Sequence, residues 1–103
     1  MTVYGNRKFV KRYVEVIALH RLDGFVVPIS ILWDDGRRFD VVLLADGKRV
    51  RCEKTSGWAI RYPIMIGKKR REIFRDNQGW FVECVDETPI AAGWDPRYAD
   101  IPC

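Results

Sequence analysis

Asp23-Gly24-Phe25-Val26-Val27-Pro28-Ile29-Ser30-Ile31-Leu32-Trp33-Asp34-Asp35-Gly36, residues 23–36, decides the architecture of this chain. Between two Asp-Gly pairs, Phe25, Val27, Ile29, Ile31 and Trp33 recur at every second position. That is the period of a strand with one face in a core. Gly accepts a positive φ and Asp tolerates one, so the pairs predict primed hairpin turns matched to strand twist. A third pair, Asp46-Gly47, continues the rhythm at a spacing of 11 or 12 residues. Such spacing leaves room for strands and none for helices of ordinary length. Pro28 falls on the opposite face and cannot donate to a ladder, which predicts an edge position or a bulge in mid-strand.

Working outward, strands are expected over 9–19, 25–33, 38–44, 48–53, 58–66, 70–75 and 80–85. Trp58, Ile60, Tyr62, Ile64 and Ile66 share one face of the fifth, and Gly67-Lys68 turns into the sixth. The fold class is therefore all-β: a small antiparallel, SH3-like barrel of about six strands. Its expected core is Val14, Val16, Phe25, Val27, Ile29, Ile31, Trp33, Phe39, Val41, Trp58, Ile60, Tyr62, Ile64, Phe74, Trp80 and Val82. Residues 1–85 form this one domain. Residues 86–103 hold three of the five prolines and exclude a long helix or inner strand. They also carry Ile90, Trp94, Tyr98 and Ile101, so the expectation is an extended acidic tail packed on the barrel through Trp94 and Tyr98.

The 103 residues suffice for one domain with a real core. A formal charge of +4 conceals an asymmetry: 17 Lys/Arg against 8 Asp/Glu in residues 1–75, and 1 against 6 in residues 76–103. A basic body with an acidic tail predicts an anionic partner, or a tail that shields the basic face. Cys52, Cys84 and Cys103 show no metal-site spacing and are too sparse for a disulfide framework. Cys52 and Cys84 read as free thiols acting as small hydrophobes. Lys8, Lys11 and Arg12 interrupt any signal-peptide pattern, and no stretch approaches the roughly 20 apolar residues of a bilayer span. The expectation is a cytoplasmic protein without a membrane partner.

Four runs carry a family resemblance: Tyr13-Val14-Glu15-Val16-Ile17-Ala18, Pro28 to Arg37, Gly57-Trp58-Ala59-Ile60-Arg61-Tyr62 and Trp80-Phe81-Val82-Glu83. Over roughly two thirds of its length, from Tyr13 to Glu83, the chain resembles a group of small uncharacterised bacterial proteins of clostridial type. The resemblance implies a small β-fold and no established activity.

No motif carries a specific chemistry. His20 is the lone histidine and reads as a surface residue at a hairpin end. Asp34 and Asp35 are adjacent in a turn, and Asp40 faces outward beside Arg38, so acid–base work across a cleft is not expected. Ser30, Thr55 and Ser56 lack the setting of an activated nucleophile, and Gly67 and Gly79 are isolated, so no phosphate-cradling loop is present. The chain reads as non-enzymatic, with no cofactor, no metal site and no catalytic residues.

The functional signal is a band of cations interleaved with aromatics over residues 48–71. Arg49, Arg51, Lys54, Arg61, Lys68, Lys69, Arg70 and Arg71 are the candidate nucleic-acid-binding residues, with Lys48 beside them and Trp58, Tyr62, Phe74 and Trp80 close by. Cations attract phosphates by counterion release, and aromatics offer stacking surfaces. Outward Lys and Arg are also what an alternating strand shows to water, and the parity of Trp58 and Tyr62 places both in the core. Charge at a hairpin tip further discourages edge-to-edge pairing. The rival expectation is a protein-interaction module or small homodimer that uses a sheet edge or aromatic groove.

Overall fold

Alternating strands joined by tight turns must pair with their sequence neighbours, and the computed structural model, which describes residues 9–85, does this throughout. Eight strands form: β1 (Phe9–His20), β2 (Val26–Leu32), β3 (Arg38–Asp40), β4 (Val42–Leu43), β5 (Lys48–Arg51), β6 (Trp58–Ile66), β7 (Lys69–Asp76) and β8 (Gly79–Val85). Residues 1–8 and the expected tail over 86–103 lie outside the described residues.

All pairings are antiparallel, and the sheet runs β3-β2-β1-β8-β7-β6-β4, with β5 also paired to β6. β3 and β4 are one stretch of chain broken only at Val41, whose N–H donates to the Ile29 carbonyl on β2 at 2.9 Å. This stretch pairs with β2 at one end and with β6 at the other. It joins the two ends of the sheet into a nearly closed barrel, as the sequence predicts.

The Asp-Gly pairs work differently from the primed turns expected. Gly24 and Gly36 have φ near +93° and +91°, while among the described residues the one non-glycine with positive φ is Ser56. Asp23 and Asp35 thus keep negative φ. Gly24 N–H donates to the Arg21 carbonyl at 3.1 Å, and Gly36 N–H to the Trp33 carbonyl at 3.0 Å. Each loop is a type I turn followed by a left-handed glycine, the three-residue hairpin form. Each aspartate accepts the backbone N–H two residues on, Phe25 at 3.1 Å and Arg37 at 3.0 Å.

Gly47 is needed for space rather than for φ. A Cβ there would lie 2.7 Å from both Ile60 Cγ2 and Tyr62 Cε2, and the Tyr62 ring is buried. Gly47→Ala should cost about 1–3 kcal/mol by overpacking. A thermal melt unchanged from wild type would mean that the Tyr62 ring yields freely.

Strand β2 contains the bulge that Pro28 predicts. Ala18 pairs with Pro28 and Ile17 with Ser30, so Ile29 has no partner on β1. One unpaired residue reverses the facing of everything beyond it. Ile31 and Trp33 enter the core as expected, Pro28 is buried instead of facing out, and Ile29 and Phe25 are 39% and 50% exposed. The two latter residues are therefore removed from the expected core.

Burial occurs on both faces of the sheet. The barrel interior packs Ile31, Trp33, Phe39, Val41, Tyr62, Ile64, Ile66, Ile73, Val82 and Cys84, with Val14, Val16, Ile60 and Trp80 around them. On the opposite face, Phe74 and Phe81 form a register pair that alternates with interior Ile73 and Val82. They stack at 5.3 Å with planes 12° apart, under a flap made by β5 and the turn over 52–57. Val50, Cys52 and Ala59 close this second cluster. Thr55 Oγ1 donates to Glu83 at 2.8 Å, and Lys54 lies 4.9 Å over the Phe9 ring, tying the flap to β8 and β1. Cys52 is a free thiol whose pKa burial pushes up, whereas Cys84 is disulfide-bonded, which corrects the expectation of two free thiols.

Candidate nucleic-acid interface

Cations on the β1–β3 side of the molecule are neutralised where they stand. Arg12 reaches Asp34 at 2.6 Å, Arg21 reaches Asp23 at 2.8 Å and Arg38 reaches Asp40 at 3.0 Å. Arg37 pairs with Asp35, and Lys11 with Asp76 at 3.8 Å. These contacts leave their mark on the acids. The Arg37 side chain holds Asp35 below the usual carboxylate range, and Ser30 followed by Arg38 does the same for Asp40. Asp34, Asp35 and Asp40 are thus partners of arginines, spread along a turn and a strand.

The band behaves otherwise. Arg61 meets Glu72 at 3.5 Å, but Lys48, Arg49, Arg51, Lys68 and Arg70 are exposed and have no carboxylate partner among the described residues. Unpaired surface cations keep their field for a mobile anion, whereas a paired arginine does not.

The band is not one continuous patch. Arg51 pairs with Trp58 at the start of β6, and Lys69 pairs with Ile66 at its end. At about 3.3 Å per residue these positions are roughly 26 Å apart. Lys68, Lys69, Arg70 and Arg71 therefore gather at one end of the β6–β7 hairpin, and Lys48, Arg49 and Arg51 at the other. Between them on the outer face lie two adjoining clefts of about 470 Å³ each, which share Lys54, Glu72, Phe74 and Glu83. Arg49, Arg51 and Arg61 line one, and Arg70 and Arg71 the other. The glutamates in their walls offset these cations.

Trp58 overturns its expected place in the core. The alternation that buries Tyr62, Ile64 and Ile66 runs past the rim of the barrel, and Trp58 is 56% exposed. The Arg49 guanidinium lies over its ring, 5.1 Å from the centroid. Ring and cation belong to an open cavity of about 500 Å³, also lined by Ala59, Ile60, Arg75, Asp76 and Asn77.

Arg75 sits opposite both Ile60 and Trp80 in register. Its Nε donates to the Tyr62 hydroxyl at 3.2 Å, and its guanidinium lies 5.6 Å from the centre of the Trp80 ring. Asp76, the one carboxylate in the wall, is already engaged. It accepts Tyr13 O–H at 2.7 Å, Gln78 N–H at 2.8 Å and Gly79 N–H at 3.2 Å, with Lys11 nearby. Partial burial pushes Asp76 up, but these donors hold it below its ordinary value. Burial and the bond to Asp76 push the Tyr13 phenol up to about 12. Cation–π contacts thus orient Arg49 and Arg75 without cancelling their charge.

Arg75 and Asn77 lie outside the band expected over residues 48–71. Parity marks Arg75, since it lies two and four residues after Ile73 and Arg71 on the same face of β7; nothing local marks Asn77. Among the described residues no group of His, Cys, Asp and Glu is placed to hold a metal ion, and no helix is long and apolar enough to cross a membrane. Comparison with protein-family models, with curated proteins and with solved structures gives no match.

Proposed function

We propose that this protein is a non-enzymatic binding module whose ligand is a nucleic acid, held on the basic-aromatic face of β5, β6 and β7. The observation that carries this is the division of charge: cations on the β1–β3 side are paired with carboxylates, while Lys48, Arg49 and Arg51 towards the exposed Trp58, and Lys68 and Arg70 at the far end of the β6–β7 hairpin, are exposed with no carboxylate partner among the described residues. Phosphate binding by such a surface is driven by counterion release and weakens steeply with salt. Fluorescence anisotropy with labelled oligonucleotides at low and moderate salt is the direct test. Binding that falls roughly 100-fold between 50 and 200 mM salt is expected if five cations meet the phosphates of a single strand.

A second reading has its own observation. Ile17, Leu19, Leu22, Phe25, Val42 and Leu44 are exposed apolar side chains. They favour a protein partner or a homodimer, because exposed apolar area marks contact surfaces. Absence of oligonucleotide binding at low salt, together with a mass that rises with concentration in sedimentation equilibrium, would replace the first reading by this one.

A further inference from the structure

We infer that the ligand is single-stranded and that one of its unpaired bases stacks on Trp58, in the cavity bounded by Arg49, Arg75 and Asn77. This rests on the nucleic-acid reading above and specifies the form of the ligand and its point of attachment. Trp58 begins β6 and projects beyond the barrel rim, so the chain leaves a large flat apolar surface in water where Tyr62, Ile64 and Ile66 on the same face are buried. Bases stack on such surfaces with little regard to sequence, because every base has a π-face.

The surroundings of the ring fit this use. Arg49 lies over the indole at 5.1 Å, and the ring, 56% exposed, lines the cavity. Arg75 is aimed by Tyr62 and Trp80 rather than by an acid, so its charge remains available to a phosphate beside the stacked base. Asp76 keeps its negative charge, which the Lys11 ammonium at 3.8 Å offsets, while Tyr13 O–H and two backbone N–H groups hold its oxygens in place. Asn77, exposed in the turn between β7 and β8, brings an amide donor and acceptor to the edge of the same space. A duplex keeps its bases stacked inside and offers only groove edges and phosphates. It can meet the cations but not the indole.

The test compares one labelled sequence of about 12 nucleotides, within the usual range of single-strand sites, as single-stranded DNA, single-stranded RNA and DNA duplex. Wild type, Trp58→Ala and Trp58→Phe are measured at the same salt. The expected result is tighter binding of at least one single strand than of the duplex. Trp58→Ala should then weaken that strand roughly 10-fold, leave the duplex unchanged, and be largely rescued by Trp58→Phe. Trp58 is exposed, and melting curves verify that both variants fold. If Trp58→Ala does not fold, loss of quenching of tryptophan emission by the strand in Trp58→Phe serves in its place.

Equal weakening of strand and duplex, or none, overturns the stacking site while leaving a basic phosphate-binding face intact. Failure of wild type to bind any of the three oligonucleotides overturns both.

Discussion

Replacing Arg49 and Arg51 together by alanine should reduce oligonucleotide affinity and lower the slope of log K against log salt by about 1.4, whereas replacing Arg21 and Arg38 should change neither much. Both double variants remove two positive charges, so net charge cannot explain a difference between them. The contrast arises from what each cation already holds. Arg21 and Arg38 are engaged by Asp23 and Asp40 at 2.8 and 3.0 Å, so a phosphate would have to compete with a carboxylate for each. Arg49 lies over an indole ring, and Arg51 is exposed and forms no ion pair among the described residues, although Glu53, Glu72 and Glu83 share its cleft. Each phosphate contact to a single strand contributes about 0.7 to the salt slope. Adding Lys48, Lys68 and Arg70 to the first variant should bring the total reduction to about 3.5 and the affinity loss at low salt to roughly 100-fold or more. Equal losses in the two double variants would show attraction by overall charge, without a located site.

The strand pattern was legible because β-periodicity is local. β6 spans Trp58–Ile66 as its alternation indicates, and β1 exceeds its expected end by His20 alone. Failures occur where a side chain's fate depends on something other than its parity. Phe25 and Ile29 keep perfect alternation with Ile31, yet the bulge at Ile29 breaks the phase. Trp58 keeps perfect alternation with Tyr62, yet the barrel ends before reaching it. Ile73 and Phe74 are adjacent and both buried, which no one-sided strand permits; the flap that covers Phe74 comes from the segment over 48–57, on the far side of β6 in sequence.

The charged face was half legible for the same reason. Sequence proximity placed Arg51 and Lys69 in one band, although antiparallel pairing sends them to opposite ends of β6. Which cations are already neutralised is a matter of tertiary pairing. Arg12 and Asp34 are 22 residues apart, and their contact has no local signature. The outer clefts, which gather most of the band's residues, prove to be shared with Glu53, Glu72 and Glu83. Arg75, outside the band as first drawn, enters the cavity where the one acid is occupied.

Phe81→Ala should be the most destabilising of the single substitutions considered, and it should also weaken binding from a distance. Phe81 is 0% exposed and is the register partner of both Tyr13 and Phe74. Its ring stacks on Phe74 at 5.3 Å, meets Tyr13 at 5.3 Å with planes 55° apart, and carries the Lys11 ammonium 4.9 Å from its centre. Truncating a buried phenylalanine costs about 3–5 kcal/mol, a large share of the roughly 5–15 kcal/mol of a typical domain. For a chain of this size that corresponds to a melting temperature lower by roughly 12 °C or more. Phe81→Leu keeps most of the volume and should cost under about 1.5 kcal/mol. The consequence for binding follows from position. Phe81 supports the cluster of Val50, Cys52 and Ala59 that anchors the flap, and Val50 lies between Arg49 and Arg51. Loosening that floor frees the two arginines from a fixed relation to Trp58. Val82→Ala is the control, since Val82 neighbours Phe81 in sequence but points into the barrel. At a temperature where both variants are folded, Phe81→Ala should lose oligonucleotide affinity and Val82→Ala should retain it. Equal affinity in the two would mean that β6 pairing alone positions Arg49 and Arg51, and that the outer cluster serves stability only.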